Sequence, residues 1–349
     1  MTSSPLTIDG EYFRDILNQP QALEDTRRHL KASRVLEALA TRVNKGKFHQ
    51  LVLTGMGASY YALHSLNVAL VAHGLTAVMI ETSELVHYHR RLFDSRTLII
   101  AVSQSGRSAE IVRLLQINRR RAAVVGVTNT ADSPLARLTD AVVLTHAGQE
   151  FSVSCKTYVA TLMALQWLGD LLCGKDSKRS DRDLALAEPA VSSYLANWAD
   201  HVDSLAGELD GVRHLFLVGR GPSLAAAGTG ALIVKESAQF HAEGMSSAAF
   251  RHGPLEMLGR EMYVVVFAGP RRTQALNDRL LKDIRQQSGR SALVGDRGKP
   301  LVFRLPPVPD CILPVMEILP VQMITLALAA RAGREPGCFV FASKVTTTE

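Results

Sequence analysis

The sequence predicts an α/β protein of two similar domains in tandem, each a doubly wound parallel sheet flanked by helices. Three observations predict it: an internal repeat, continuous Val- and Ile-rich runs, and helix-length segments between those runs. The repeat opens with Leu51-Val52-Leu53-Thr54-Gly55-Met56-Gly57-Ala58-Ser59, which resembles Leu215-Phe216-Leu217-Val218-Gly219-Arg220-Gly221-Pro222-Ser223. At nearly the same spacing Leu98-Ile99-Ile100-Ala101-Val102 pairs with Met262-Tyr263-Val264-Val265-Val266, and Ala122-Ala123-Val124-Val125-Gly126 then pairs with Ala292-Leu293-Val294-Gly295. Runs apolar at successive positions are buried on both faces, which is the pattern of parallel strands. Strands alternating with helices wind into a sheet covered on both sides.

The elements follow in order. Residues 1–30 read as an N-terminal arm with a turn at Asn18-Gln19-Pro20. Residues 31–174 form the first domain, and 175–192, opening on the polar stretch Lys175 to Asp183, read as a linker or helix start. Residues 193–344 form the second domain and 345–349 a tail. The apolar segment Cys311 to Ala332 contains Glu317, Pro314 and Pro320 and reads as a core helix rather than a membrane span.

Of the 349 residues, 47% are hydrophobic and 21% charged, which suits a soluble globular protein. The formal charge of +6 is spread over short pairs and one triplet, Arg119-Arg120-Arg121, expected on solvated helix faces. With 6% aromatic residues there is no stacking platform for nucleic acid. Cys155, Cys173, Cys311 and Cys338 form no CxxC pair and no zinc pattern, so isolated buried thiols in a reducing cytoplasm are expected. Met1-Thr2-Ser3-Ser4-Pro5 carries no basic or apolar leader, which also points to the cytoplasm.

Ligands of parallel sheets bind beyond the carboxyl ends of strands, at helix N-termini. Two loops of the first domain have that position: Gly55-Met56-Gly57-Ala58-Ser59 and Ser103-Gln104-Ser105-Gly106-Arg107-Ser108. The second offers the hydroxyls of Ser103, Ser105 and Ser108 and the amide of Gln104, with Gly106 letting the backbone curl. Hydroxyls, free N–H groups and a helix dipole suit a phosphate dianion. Read alone, such a turn serves equally as a helix cap. The repeat separates the two readings: the matching segment Phe267-Ala268-Gly269-Pro270 keeps the strand and loses the hydroxyls, so the scaffold does not require them. A GxxxxGK[ST] loop is absent. GxGxxG fails at its third glycine, where Tyr60 and Leu224 stand, which argues against a dinucleotide.

Proton transfer between adjacent carbons of an open-chain sugar needs a carboxylate base, and ring opening suits histidine. Lys235-Glu236, His241-Ala242-Glu243 and His252-Gly253-Pro254 supply those groups, and Lys344 supplies an amine. By residue type alone each also reads as solvated charge, a turn cap or an exposed tail.

These motifs, in this order, resemble the SIS (sugar isomerase) family. More narrowly they resemble the isomerase half of glutamine–fructose-6-phosphate aminotransferase and related deaminases and deglycases. The resemblance runs from Asp15-Ile16-Leu17-Asn18-Gln19-Pro20 through Gly55–Ser59, Ser103–Gly106, Asp132-Ser133-Pro134-Leu135, Lys235-Glu236 and His252-Gly253-Pro254 to Ser343-Lys344-Val345-Thr346. It implies two tandem SIS domains. It implies that Ser103, Gln104, Ser105 and Ser108 hold a sugar phosphate, with Ser59 in the same cleft. It further implies Glu236 as the base between C1 and C2, His252 as the ring-opening group supplied by a neighbouring subunit, and Lys344 at the keto sugar. A homodimer with shared active sites follows, with no metal, organic cofactor, nucleic acid or membrane.

Three departures shape the expected activity. No glutaminase segment or cysteine after Met1 is present, which favours ammonia release or simple isomerisation. Ile233 stands where the synthase pattern has a lysine. The loop Glu150 to Thr157 is one residue shorter than that pattern, which leaves Ser154 as a weaker sugar contact. The expected function is an amino-sugar phosphate deaminase or isomerase. The alternatives are a deglycase of an amino-acid–sugar phosphate conjugate and a non-catalytic phosphosugar sensor.

Overall fold

The computed structural model describes residues 8–287, 289–341, 343–346 and 348. The chain folds into two compact units. One comprises residues 21–149 and 156–186 with the described residues after Phe341. It is built on five parallel strands: β1 (Gln50–Gly55), β2 (Ala77–Glu81), β3 (Thr97–Val102), β4 (Ala123–Thr128) and β5 (Ala141–Leu144), in the order β2-β1-β3-β4-β5. Side chains alternate across a strand. Val52, Ile99 and Val124 therefore share one face, where Leu85 and Val86 of the helix Thr82–Tyr88 and Ile111 and Leu114 of the helix Ala109–Asn118 pack on them. On the other face the helix Gly57–Ala72 lies against the helix Lys156–Leu172. Gly169 makes that approach possible: a Cβ there would sit 2.9 Å from Leu66 Cδ1.

The other unit comprises residues 8–20, 150–155, 187–287 and 289–341. Its sheet contains β6 (His214–Gly219), β7 (Ala242–Ser246), β8 (Met262–Phe267) and β9 (Arg290–Val294), all parallel, in the order β7-β6-β8-β9. Phe216, Val218, Val264 and Val266 pack against Phe250 and against Leu280 and Ile284 of the helix Arg271–Gln286. Across the sheet the helices Leu224–Ala238 and Leu313–Arg331 pack together, and a Cβ on Gly230 would sit 2.9 Å from Leu217 Cδ2 of β6 and 3.1 Å from Val321 Cγ1. The helix Leu313–Arg331 has the length and apolarity of a membrane span, yet 89% of its most apolar window is buried in the core. The helix Glu11–Leu17 docks on it through Tyr12, whose hydroxyl lies 3.2 Å from Thr325 Oγ1. Gln19 and Gln322 add a reciprocal pair of amide bonds at 2.8 and 2.9 Å.

The six apolar runs read from the sequence are β1, β3, β4, β6, β8 and β9, within two residues at each end. The remaining three, β2, β5 and β7, were not anticipated; all lie at sheet edges, as does the anticipated β9, and β7 (AEGMS) has almost no apolar run at all. The polar stretch from Lys175 contains the helix Ser177–Leu184, which Asp176 caps by accepting from the Lys178 N–H. The expectation of buried thiols holds for Cys155 and Cys173. It fails for Cys311, half-buried, and Cys338, exposed, because both lie in connections flanking the last helix rather than in a packed element.

Glu317 is fully buried within that helix. The Ser223 hydroxyl donates to Oε1 at 2.8 Å. Burial raises the Glu317 pKa to about 8, against the smaller lowering effect of the Ser223 bond. Between about pH 4.5 and pH 8 the folded state keeps a proton that the unfolded state releases, so stability declines as pH rises through that window. Urea unfolding of Glu317→Gln should show a flatter dependence between pH 5 and 8, by about 1.4 kcal/mol for each pH unit. Parallel pH profiles for the two proteins would contradict a protonated Glu317.

Candidate active site

In the five-stranded sheet the chain leaves β1 toward β2 on one side and later returns to β3 on the other. The connections leaving β1 and β3 therefore diverge at their carboxyl ends, the switch point at which open α/β sheets bind ligands. Gly55 closes β1 against the end of β3, and a Cβ there would lie 3.0 Å from the Val102 carbonyl oxygen. Gly57 follows with φ +51° and begins the helix Gly57–Ala72, in which half-buried Ser59 is the third residue.

Ser103 directly follows β3, and the helix Ala109–Asn118 begins after Ser108. The loop between them is held in a curl from several directions. Ser103 N–H continues the sheet pattern by donating to Val127 O at 3.0 Å. The Gln104 carbonyl oxygen accepts from Asn129 N–H at 3.0 Å, Thr128 Oγ1 at 3.1 Å and Thr130 Oγ1 at 3.3 Å. Gly106 takes φ +61°, and its carbonyl oxygen accepts from Leu135 N–H at 3.2 Å. Within the loop Ser103 Oγ accepts from Gly106 N–H at 3.1 Å and Ser105 Oγ from Arg107 N–H at 3.2 Å. In both, the hydroxyl acts as acceptor, which leaves its own proton for another oxygen. Ser108 stands at the N-cap position and makes no side-chain cap bond. The capping alternative thus fails for Ser108, while Ser103 and Ser105 shape the loop and keep a donor each.

Ser133 was part of a recognised motif, but its local role was not foreseen. It caps the helix Pro134–Leu138 by accepting from Ala136 N–H at 3.2 Å, and it closes the space beside Gly106. Ser followed by Pro at the first helical position is a readable cap signal. Thr128 and Thr130, which pin the Gln104 carbonyl, left no comparable signal. Arg107 is held outward by Asp132 at 2.8 Å on the exposed side, which keeps the Asp132 carboxyl below its ordinary range.

Lys344 lies in the same unit, half-buried. Two residues on, the Thr346 carbonyl oxygen accepts from Ala109 N–H at 3.2 Å, so the Lys344 segment runs past the start of the helix that the serine loop feeds.

Glu236, His252 and Ser154 belong to the other unit. Glu236 sits half-buried in the last turn of the helix Leu224–Ala238, beside exposed Lys235. Burial pushes the Tyr12 hydroxyl far above its ordinary value, and the neighbouring Cys155 and Glu236 add to that rise, which puts Glu236 near the docked N-terminal helix. Ile233, one turn earlier, is completely buried. His252 follows the helix Ser247–Arg251 and is exposed, ahead of Gly253 at φ +145°. Ser154 lies half-buried in a connection held by Phe151 N–H donating to Asp15 Oδ2 at 3.1 Å and Cys155 N–H to Glu150 Oε1 at 2.9 Å. His241 and Glu243 flank β7 residue Ala242 at the sheet edge, with His241 Nε2 3.8 Å from Glu243 Oε1.

The switch point of the four-stranded sheet differs in one respect. There Ser223 is buried and its hydroxyl is spent on Glu317. The neighbouring Gly269, from the loop after β8, would bring a Cβ within 3.1 Å of Ser223 Oγ. The side chains of the protein itself fill this second position.

Two parallel sheets with matched switch points define an SIS-type α/β protein. The SIS domain family profile matches residues 47–169 and 208–330, and the chain belongs to that family. It is 31% identical over 345 residues to glutamine–fructose-6-phosphate aminotransferase [isomerizing] of Pyrococcus horikoshii, covering 93% of this chain and 56% of that protein. The chain spans about half the length of the curated relatives it matches. Among solved structures, it shares its fold with the C-terminal domain of glucosamine-fructose-6-phosphate aminotransferase from Francisella tularensis. The TM-score is 0.81 at 21% identity, covering 95% of this chain and 98% of that one. Glucosamine-6-phosphate deaminase from Thermotoga maritima matches at TM-score 0.78 and 17% identity over 97% of this chain and all of that one.

The serine loop carries its own test. A Cβ on Gly106 would run into Ser133 Oγ and come within 3.0 Å of Thr128 Oγ1, at a φ that costs about 1–2 kcal/mol for an L residue. Gly106→Ala should lower the thermal midpoint measurably and weaken binding of hexose phosphates. An unchanged midpoint with unchanged binding would show that the curl is not needed.

Proposed function

We propose that this protein is an enzyme acting on amino-sugar phosphates: a deaminase or isomerase of a hexosamine 6-phosphate-like substrate. The observation that carries the reading is the serine loop at the first switch point. It presents hydroxyl donors at Ser103 and Ser105, an uncommitted Ser108 and a helix N-terminus, a combination that favours a dianion. The names of its relatives, an isomerizing aminotransferase and a glucosamine-6-phosphate deaminase, agree with that substrate class.

In this reading Ser103, Gln104, Ser105 and Ser108 hold the phosphate, with Gly57 and Ser59 beside them and Ser154 as a lesser contact. His252 protonates the ring oxygen as the sugar opens. Its exposure suits donation into the site of a second copy in a homodimer. Glu236 removes the proton from C2 and returns it at C1, converting the open-chain amino aldose to the imine of a ketose. Water then adds to the imine carbon, and ammonia leaves with a ketose phosphate as product. Lys344 supplies positive charge at the carbonyl end. These steps move protons and water alone, in keeping with a cytoplasmic enzyme without metal or organic cofactor.

One observation supports a non-catalytic sensor as the second reading. Ile233 is aliphatic and fully buried where the aminotransferase pattern has a lysine. A sensor would bind glucosamine 6-phosphate without turnover.

Two measurements follow. Ser103→Ala and Ser105→Ala each remove a charge-assisted bond worth about 1.5–3 kcal/mol, so the double variant should bind glucosamine 6-phosphate more than about tenfold more weakly in calorimetry. Unchanged affinity would remove the phosphate site. Wild-type protein incubated with glucosamine 6-phosphate should release ammonia and ketose phosphate together, and Glu236→Gln should slow both by roughly 10²–10⁴-fold, the usual weight of a general base. Tight binding without ammonia or ketose formation across a panel of amino-sugar phosphates would select the sensor.

A further inference from the structure

On the unit built from β6 to β9, a surface pocket of about 590 Å³ lies between the helix Arg271–Gln286 and the loop that follows β9. That volume is typical of small-molecule sites. The helix contributes Lys282 and Arg285, which share a face with Asp278 at spacings of four and seven residues. The loop contributes Arg297 and Lys299, and Leu281 and Leu293, both nearly buried, form an apolar floor.

Four cations thus converge on one pocket with a single lining carboxylate. Asp278 is already committed: Arg297 Nη2 donates to its two oxygens at 3.0 and 2.9 Å. Asp283, on the same helix, pairs with Arg251 at 2.6 Å, and Asp296 lies 3.6 Å from Arg297 Nε. Among the described residues no carboxylate pairs with Lys282, Arg285 or Lys299. Like charges gathered without a counter-ion are mutually destabilising. The scaffold does not demand the arrangement either. In the sister sheet β5 covers the outer side of β4. At the matching edge β9 has the Asp296–Lys299 loop, a short turn at Leu301–Phe303, and one bridge from Gly295 to Arg304.

We propose that this pocket binds a ligand carrying a diphosphate group. Charges from two separate elements suit two linked phosphates. The guanidinium of Arg285 can bind a phosphate through two parallel N–H bonds, and the lysines add point charge. The diphosphate could come from inorganic pyrophosphate or from a nucleoside diphosphate, whose base would rest on Leu281 and Leu293. This site does not depend on the proposed sugar-phosphate activity.

Isothermal titration of the full chain with inorganic pyrophosphate, ADP and inorganic phosphate tests it. Saturable one-to-one binding of pyrophosphate or ADP is expected, at least about tenfold tighter than phosphate and weaker at high ionic strength. The double variant Arg285→Ala/Lys299→Ala should lose at least about tenfold in affinity, and Ser103→Ala/Ser105→Ala should lose none. Both altered side chains of the first variant are exposed, so its melting temperature should match that of the parent. Equal affinities for pyrophosphate and ADP would assign recognition to the diphosphate alone, and tighter ADP binding would add the apolar floor. The proposal is overturned by absence of saturable binding, by affinity unaffected in the Arg285/Lys299 variant, or by binding lost in the serine variant. Tighter binding of a single-stranded oligonucleotide that competes with ADP would also overturn it, in favour of nucleic acid.

Discussion

The site depends on one topological constraint, the reversal of strand order between β1 and β3. Parallel strands need crossover helices, and each helix begins where a strand ends. When successive crossovers run to opposite sides of a central strand, the two outgoing loops separate and leave their N–H groups facing a common space. The tight approach of Gly55 to the Val102 carbonyl keeps the two strand ends together. The Gln104 carbonyl, pinned by Thr128, Asn129 and Thr130, fixes the loop's curvature from the neighbouring strand, in addition to the bonds that Ser103 and Ser105 make within it. Because the loop serines act as acceptors within it, their own hydroxyl protons remain for a ligand.

The internal repeat provides a control for this argument. Both sheets have the same order over their first four strands, and both place a serine in the Gly-x-Gly-x-Ser loop. In one copy Ser59 lies half-buried at the start of a helix, beside a loop rich in hydroxyls. In the other, Ser223 is sealed in and bonded to Glu317, a carboxyl held neutral by burial. A protonated acid can fill a cleft of this kind without the large penalty of an uncompensated charge. One copy thereby keeps hydroxyl donors in its loop, and in the other the matching serine is taken up by its own last helix.

Much of this was legible in the residues, and the gaps have physical causes. Central strands announce themselves because both faces are buried and every position is apolar, as in Leu98 to Val102. Edge strands are stabilised by pairing to one neighbour, so β7 can carry Glu243 and Gly244 and show no periodic signal. Gly244 is required there because a Cβ would collide with the Ala227 carbonyl of the adjacent helix, a constraint that involves residues distant in sequence. The serine loop was readable because its residue types are unusual for a turn that lacks them in the sister copy. Its supports were not, since Thr128 and Thr130 resemble any strand-ending threonines until the Gln104 carbonyl is placed beside them. The short N-terminal segment read as an arm proves to hold Tyr12 and Gln19, whose partners Thr325 and Gln322 are some 300 positions away.

Ile233 bears most directly on the chemistry. It lies one helical turn before Glu236 and is fully enclosed, with its carbonyl accepting from Ser237 Oγ at 2.5 Å. An ammonium in that enclosure would have to be desolvated, and desolvation favours the neutral amine. The surroundings instead accept a branched aliphatic side chain, so no positive charge is available from this position to a substrate oxygen. In the proposed reaction Lys344 supplies that charge, on a segment tied to the serine-loop helix through Ala109 and Thr346. Phosphate binding and carbonyl polarisation would then rest on the same short helix start, which couples recognition of the dianion to placement of the reacting end.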